Sequence, residues 1–154
     1  MRKVILFIAV LLSLFACNKD DNESKANKFS EEETEVLKVL DGKWEKESNY
    51  SPETLSFEPF SQQKVIKSSI GGIGYFHGNA KRRFDYIGKQ EEWKMYFYVD
   101  TKKKEISLYG VEDNGTYSIV QTKFYDYKIL DNNTIQLHDK SLSQLLVYNY
   151  KRIR

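Results

Sequence analysis

The run Glu92–Val99, EWKMYFYV, alternates with a period of two. Trp93, Met95, Phe97 and Val99 fall on one face, and Lys94, Tyr96 and Tyr98 on the other. A strand turns successive side chains to opposite sides of its sheet. The run therefore reads as a strand with one dry face and one amphipathic face. The dry set is a candidate lining for a ligand site and equally a candidate for plain core.

Similar strands follow at Glu105–Val111, Tyr117–Thr122, Phe124–Leu130, Thr134–His138 and Leu145–Ile153. Earlier strands are expected at Lys43–Asn49, Lys64–Ile70, Tyr75–His77 and Arg82–Ile87. Turn signals separate them: polar Asp100–Lys104, Asp113-Asn114-Gly115 and Asp131-Asn132-Asn133. A meander of eight to ten short strands must close or split into two packed sheets, because open edges recruit other chains. Closure removes the edges outright. The expected fold is an all-β, antiparallel up-and-down β-barrel of about eight strands, with a two-sheet sandwich as the alternative. Such an interior holds side chains or one small ligand.

Ahead of the strands, Ser30-Glu31-Glu32-Glu33 is a capping box, and its acidic residues suit the positive end of a helix dipole. Val36, Leu37, Val39 and Leu40 supply an apolar face, and Gly42 ends the pattern. The spacing predicts a helix over Glu31–Leu40.

The chain has 154 residues, 14% of them aromatic, and only two prolines, a globular composition sized for one domain. The N-terminus differs. Arg2 and Lys3 precede Val4–Ala16, VILFIAVLLSLFA, broken only by Ser13. Those 13 residues fall short of the about 20 needed to span a bilayer as a helix. They have the shape of a secretory signal. Removing residues 1–16 takes two of the 24 basic residues, leaving 22 against 22 acidic ones. A neutral chain exerts no general pull on nucleic acid, so no nucleic-acid partner is expected.

Leu14-Phe15-Ala16-Cys17 resembles the lipobox of bacterial lipoproteins, with Cys17, the sole cysteine, at the lipidated position. That resemblance implies cleavage after Ala16 and a lipid anchor on Cys17. Asn18-Lys19-Asp20-Asp21-Asn22-Glu23 is similar to the surface-export signal of Bacteroidetes lipoproteins. It implies an outer-membrane protein facing the cell exterior, with the periplasmic face as the alternative. Asn18–Lys28 is polar and aperiodic, a tether reaching about 20 Å. The organisation expected is a signal at 1–16, lipidated cysteine and tether at 17–29, and one barrel domain at 30–154.

Gly42-Lys43-Trp44, set between the helix and the first strand, resembles the G-x-W motif of the lipocalin-like superfamily. Tyr125–Leu137 is similar to late strands of small lipocalin-like lipoproteins of the Bacteroidetes. The resemblance implies that Gly42 and Trp44 close one end of the barrel under the helix. It also implies that a basic residue of the last strand, Arg152 or Arg154, packs over Trp44. Other motifs of the large lipocalins are not visible in the sequence.

Catalytic chemistry finds little footing. Ile70-Gly71-Gly72-Ile73-Gly74 lacks the lysine and hydroxyl of a phosphate loop and reads as a corner between strands. Lys81-Arg82-Arg83 and Lys102-Lys103-Lys104 read as solvated runs. His77 and His138 are too few for zinc, and Cys17 is committed to lipid. Neither an enzyme nor a metal or cofactor is expected. Two functions remain. One is a lipid-anchored barrel binding a small hydrophobic or amphipathic ligand through Trp93, Met95, Phe97 and Val99. The other is a solid barrel meeting a protein or glycan partner through surface tyrosines, with Tyr50, Tyr96, Tyr98, Tyr109 and Tyr148 as candidates.

Overall fold

A computed structural model describes residues 28–48, 52–67, 73–113, 117–141 and 146–154. The expected signal segment, Cys17, most of the expected tether, Tyr50, Gly71-Gly72 and the expected Asn114-Gly115 turn lie outside the described residues.

Helix α1 spans Glu31–Leu40, as its pattern predicts. The Ser30 hydroxyl accepts from the Glu33 amide at 3.1 Å, and the Glu33 carboxylate accepts from the Ser30 amide at 2.7 Å. Both satisfy donors that a helix start leaves open. Val36, Leu37 and Leu40 are its buried face. The C-cap is Asp41, whose amide donates to the Leu37 carbonyl. Gly42 follows it, as the pattern predicts, and opens the first strand at φ +123°. Only glycine takes that backbone comfortably, and a Cβ there would lie 2.7 Å from Arg152 Nη1.

Eight strands follow: β1 (Gly42–Lys46), β2 (Glu53–Lys67), β3 (Ile73–Tyr86), β4 (Lys89–Asp100), β5 (Glu105–Asp113), β6 (Tyr117–Asp131), β7 (Thr134–Asp139) and β8 (Val147–Ile153). Each pairs antiparallel with the next, and β1 returns to pair with β8, Trp44 opposite Arg152. The fold is therefore the expected closed up-and-down barrel, not a sandwich.

Two pairs of expected short strands prove continuous. Tyr75–His77 and Arg82–Ile87 belong to β3, and Tyr117–Thr122 and Phe124–Leu130 to β6. Gly78 does not break β3, because it stands opposite Phe97 and gives that ring its place. A Cβ on Gly78 would lie 2.3 Å from the Phe97 ring and 2.5 Å from the Glu58 carbonyl oxygen. β2 begins well before the expected Lys64, at Glu53. Its register slips between Pro59 and Lys64, where proline has no amide to give the ladder.

The core is one cluster, with α1 contributing Leu37 and Leu40 and the strands nearly all the rest. Near its centre Phe57 and Phe97 meet edge to face at 5.2 Å, with Ala80 on the strand between them. Burying each such ring or branched side chain stabilises by about 1.5–3 kcal/mol.

Candidate functional site

The barrel has unlike ends. Helix α1 lies across one. There Trp44 Nε1 donates to the Leu40 carbonyl at 2.8 Å, and the Arg152 guanidinium sits 4.5 Å over the Trp44 ring. Arg152 also donates to the carbonyls of Val39, Asp41 and Asn132. Thr101 and Lys104, in the β4–β5 turn, bond the Glu32 carboxylate. Gly42, Trp44 and Arg152 are thus brought together beneath the helix.

At the opposite end, the mouth, the inward pleat changes from apolar to charged. Lys46 follows Trp44 by two residues, Glu53 precedes Leu55, Arg82 follows Ala80, Lys123 precedes Tyr125, and Asp139 follows Leu137. Strand alternation carries all five inward with their apolar neighbours. Arg82 holds Glu53 in a two-pronged contact, Nε to Oε1 at 3.0 Å and Nη2 to Oε2 at 2.9 Å. The buried Tyr150 hydroxyl also donates to Glu53 Oε1, at 3.1 Å. Lys123 donates to Asp139 and to the Ser141 hydroxyl. Lys46 is 9% exposed, and its Nζ lies 3.5 Å from the centre of the Tyr148 ring.

The electrostatics follow from this burial. Desolvation pushes the Lys46 ammonium below its ordinary pKa. Glu53 and Asp139 oppose that push, and Arg82 and Lys123 add to it. Burial also works against the Asp139 carboxylate, but its bonds from Lys123 and Ser141 outweigh it and hold the pKa low. Burial, reinforced by the Glu53 charge, drives the Tyr125 and Tyr150 phenols far up, so both stay neutral.

The rim is aromatic. Trp93 meets Phe84 edge to face at 5.1 Å, and the Arg82 guanidinium lies 4.3 Å over Phe84 and 5.8 Å from Trp93. Trp93 is 43% exposed. This departs from the expectation that it shares a dry face with Met95, Phe97 and Val99. The pleat is the same, but Trp93 stands one rung beyond the packed layer. Met95, Phe97 and Val99 themselves are buried members of the core cluster. Arg82 departs too: it faces inward, while Lys81 and Arg83 bond Glu58 and Glu92.

Depressions formed by described residues lie on the outside of the barrel. One, about 470 Å³, runs between α1 and β2 and is lined by Phe29, Leu37, Pro59 and Phe60. Another, about 330 Å³, lies over β1 to β4, and a smaller one, about 140 Å³, over β6 to β8. Tyr96 and Tyr109 are half-buried against Phe76, at 5.0 and 5.2 Å, and Tyr98 stacks on His77 at 4.8 Å. Tyr148 belongs to the mouth.

The histidines have structural partners. His77 Nδ1 accepts from the Val99 amide at 2.9 Å and Nε2 faces Glu33 at 3.3 Å, while His138 Nδ1 faces Asp126 at 3.3 Å. Among the described residues, no group of three or more histidine, cysteine or acidic side chains is arranged to hold a metal ion. The mouth offers fixed charges and hydrogen-bond donors beneath an aromatic rim, an arrangement suited to binding. The inward charges were the residues that sequence reasoning missed. Their signal was parity with Trp44, Leu55 and Leu137. Comparison with protein-family models, with curated proteins and with solved structures finds no match.

Proposed function

We propose that the chain is a non-catalytic binding module that takes a small amphipathic ligand at the barrel mouth. Lipid on Cys17 holds it on the outer membrane, facing the cell exterior. The observation carrying this reading is the polarity gradient along the barrel axis. The helix-capped half is filled by apolar side chains, so it serves as scaffold. The other half ends in buried charges under the exposed edge of Trp93. An amphipathic molecule matches that sequence of surfaces, with its apolar part on Trp93 and Phe84 and its polar part toward Arg82 and Lys46. Because Met95, Phe97 and Val99 are packed, the ligand rests at the mouth and is not swallowed whole.

Native mass spectrometry of the chain purified from a lipid-rich lysate tests this. A bound mass that is released on denaturation, and diminished in Trp93→Ala, supports the mouth site. A bare protein mass that persists after incubation with fatty acids and sterols sinks it. The second reading, a solid barrel meeting a protein or glycan, then takes precedence. Val65 and Tyr75 favour that reading: they face each other across β2 and β3 at 41% and 51% exposure. The anchor is tested separately. Cys17→Ser should abolish incorporation of labelled fatty acid and release the chain from the membrane fraction.

A further inference from the structure

We infer that the polar group received by the mouth is an anion of the carboxylate, phosphate or sulfate class, and that Lys46 is its receiver. This rests on the reading of the mouth as the binding site.

The argument is one of charge. The described side chains inside the mouth carry three cations, Lys46, Arg82 and Lys123, and two carboxylates, Glu53 and Asp139. Both carboxylates are taken: Arg82 grips Glu53 with two prongs, and Lys123 holds Asp139. Lys46 is left over. Among the described residues it enters no ion pair; its ammonium lies 3.5 Å from the centre of the Tyr148 ring, and Glu53 and Asp139, held by other cations, attract it only from a distance. A ring face returns only part of the cost of desolvating an ammonium. An incoming anion would pair the one cation left without an ion pair among these described side chains and balance their charge. Glu91 stands farther out on β4, level with Phe84 and beyond Trp93, so it does not offset Lys46 at depth.

The chemistry of lysine sets the breadth of the class. Its ammonium is a compact charge with rotatable donors, which accepts any single anionic oxygen without demanding a planar fork. Arg82 could supply such a fork, but Glu53 already fills it. The aromatic rim directly above leaves the rest of the ligand apolar.

The test uses the chain with its native N-terminus in a neutral glycoside detergent. It reads quenching of Trp93 emission by three tail-brominated probes: ω-bromooctanoate, ω-bromooctanol and ω-bromooctyltrimethylammonium. Trp44, sealed under Arg152, gives a constant background. The carboxylate should bind about tenfold tighter than the alcohol, the effect of one charge-assisted hydrogen bond, and the cation most weakly. Lys46→Met should bring carboxylate and alcohol to equal affinity, and Lys46→Arg should keep the preference. Equal quenching by all three probes in the native chain overturns the anion inference and leaves the mouth site standing. A preference that survives in Lys46→Met assigns the anion to another group and overturns it too. No quenching by any probe removes the mouth site itself, and the inference with it. The native-chain comparison decides even where a variant folds poorly.

Discussion

The Arg152 guanidinium lies over Trp44, 4.5 Å from the centre of the ring, and from there reaches carbonyls of α1 and of the β6–β7 turn. One side chain therefore ties the last strand to the helix C-terminus, where carbonyls otherwise lack donors. Arg152→Ala should lower unfolding stability by about 2–4 kcal/mol, from the lost ring contact and the carbonyls left unpaired. Arg152→Lys keeps the charge but not the fork and should recover about half. Urea midpoints measure both. A lysine variant as stable as the native chain would mean that charge alone matters there.

His77 is fully buried, and its Nδ1 accepts the Val99 amide, so a proton there would collide with that donor. Burial pushes its pKa below the ordinary 6.5, and the nearby Glu33 only partly opposes this. The unfolded chain takes up a proton near pH 6.5, while the folded chain takes it up at lower pH. Between those values the unfolded state binds more protons. Stability from His77 is thus complete above about pH 6.5 and falls as pH drops below it. Urea midpoints measured against pH should show this decline in the native chain, and His77→Gln should flatten it. An unchanged slope in the variant would assign the decline to other groups.

Tyr127 is buried, and its hydroxyl has no hydrogen-bond partner among the described residues. Burial, with the Glu32 and Asp100 charges adding, pushes its pKa up to about 12. Tyr127→Phe removes a polar atom that gains nothing from folding. The variant should match the native stability or exceed it by up to about 1 kcal/mol. Thermal unfolding decides, and a clear loss would reveal a partner for the hydroxyl.

Gly78→Ala should be among the most damaging of small changes. The added methyl meets the Phe97 ring at 2.3 Å and the Glu58 carbonyl at 2.5 Å. Overpacking of this kind costs about 1–3 kcal/mol or more. Phe97→Leu in the same chain should restore little, because the carbonyl is backbone and cannot step aside. Full recovery in the double variant, read by denaturant midpoint, would place the whole clash on the ring.

The Gly78 site also shows where sequence reading succeeds and stops. α1 was legible residue for residue, because its cap is written in adjacent letters, Ser30 and Glu33. A meander of about eight strands was legible from alternation and turns, which left a closed barrel and a two-sheet sandwich both open. The length of β3 was not, since glycine reads locally as a break and its reason sits on β4. Pro59 hid the first half of β2 in the same way. At the mouth the misreading was one of charge. Arg82 lies in a basic run that looks solvated, yet alternation from Ala80 carries it inward. Its counter-ion Glu53 is 29 positions away in sequence, a separation at which one strand says nothing about another.

That Arg82–Glu53 pair makes the sharpest stability test of the mouth. Both side chains are largely buried, at 14% and 6% exposure. Glu53→Gln leaves a buried guanidinium without its counter-ion and strips Tyr150 of a charged acceptor, so a loss of about 3–5 kcal/mol is expected. Removing both charges with Glu53→Leu and Arg82→Met should recover most of it, because an apolar pair of similar volume needs no desolvation. Denaturant midpoints of the two variants give the comparison. The double variant also separates the two guardians of the mouth. Lys46 is untouched in it, so tight binding of ω-bromooctanoate should persist. If that binding disappears while the barrel stays folded, Arg82 receives the anion and Lys46 only accompanies it.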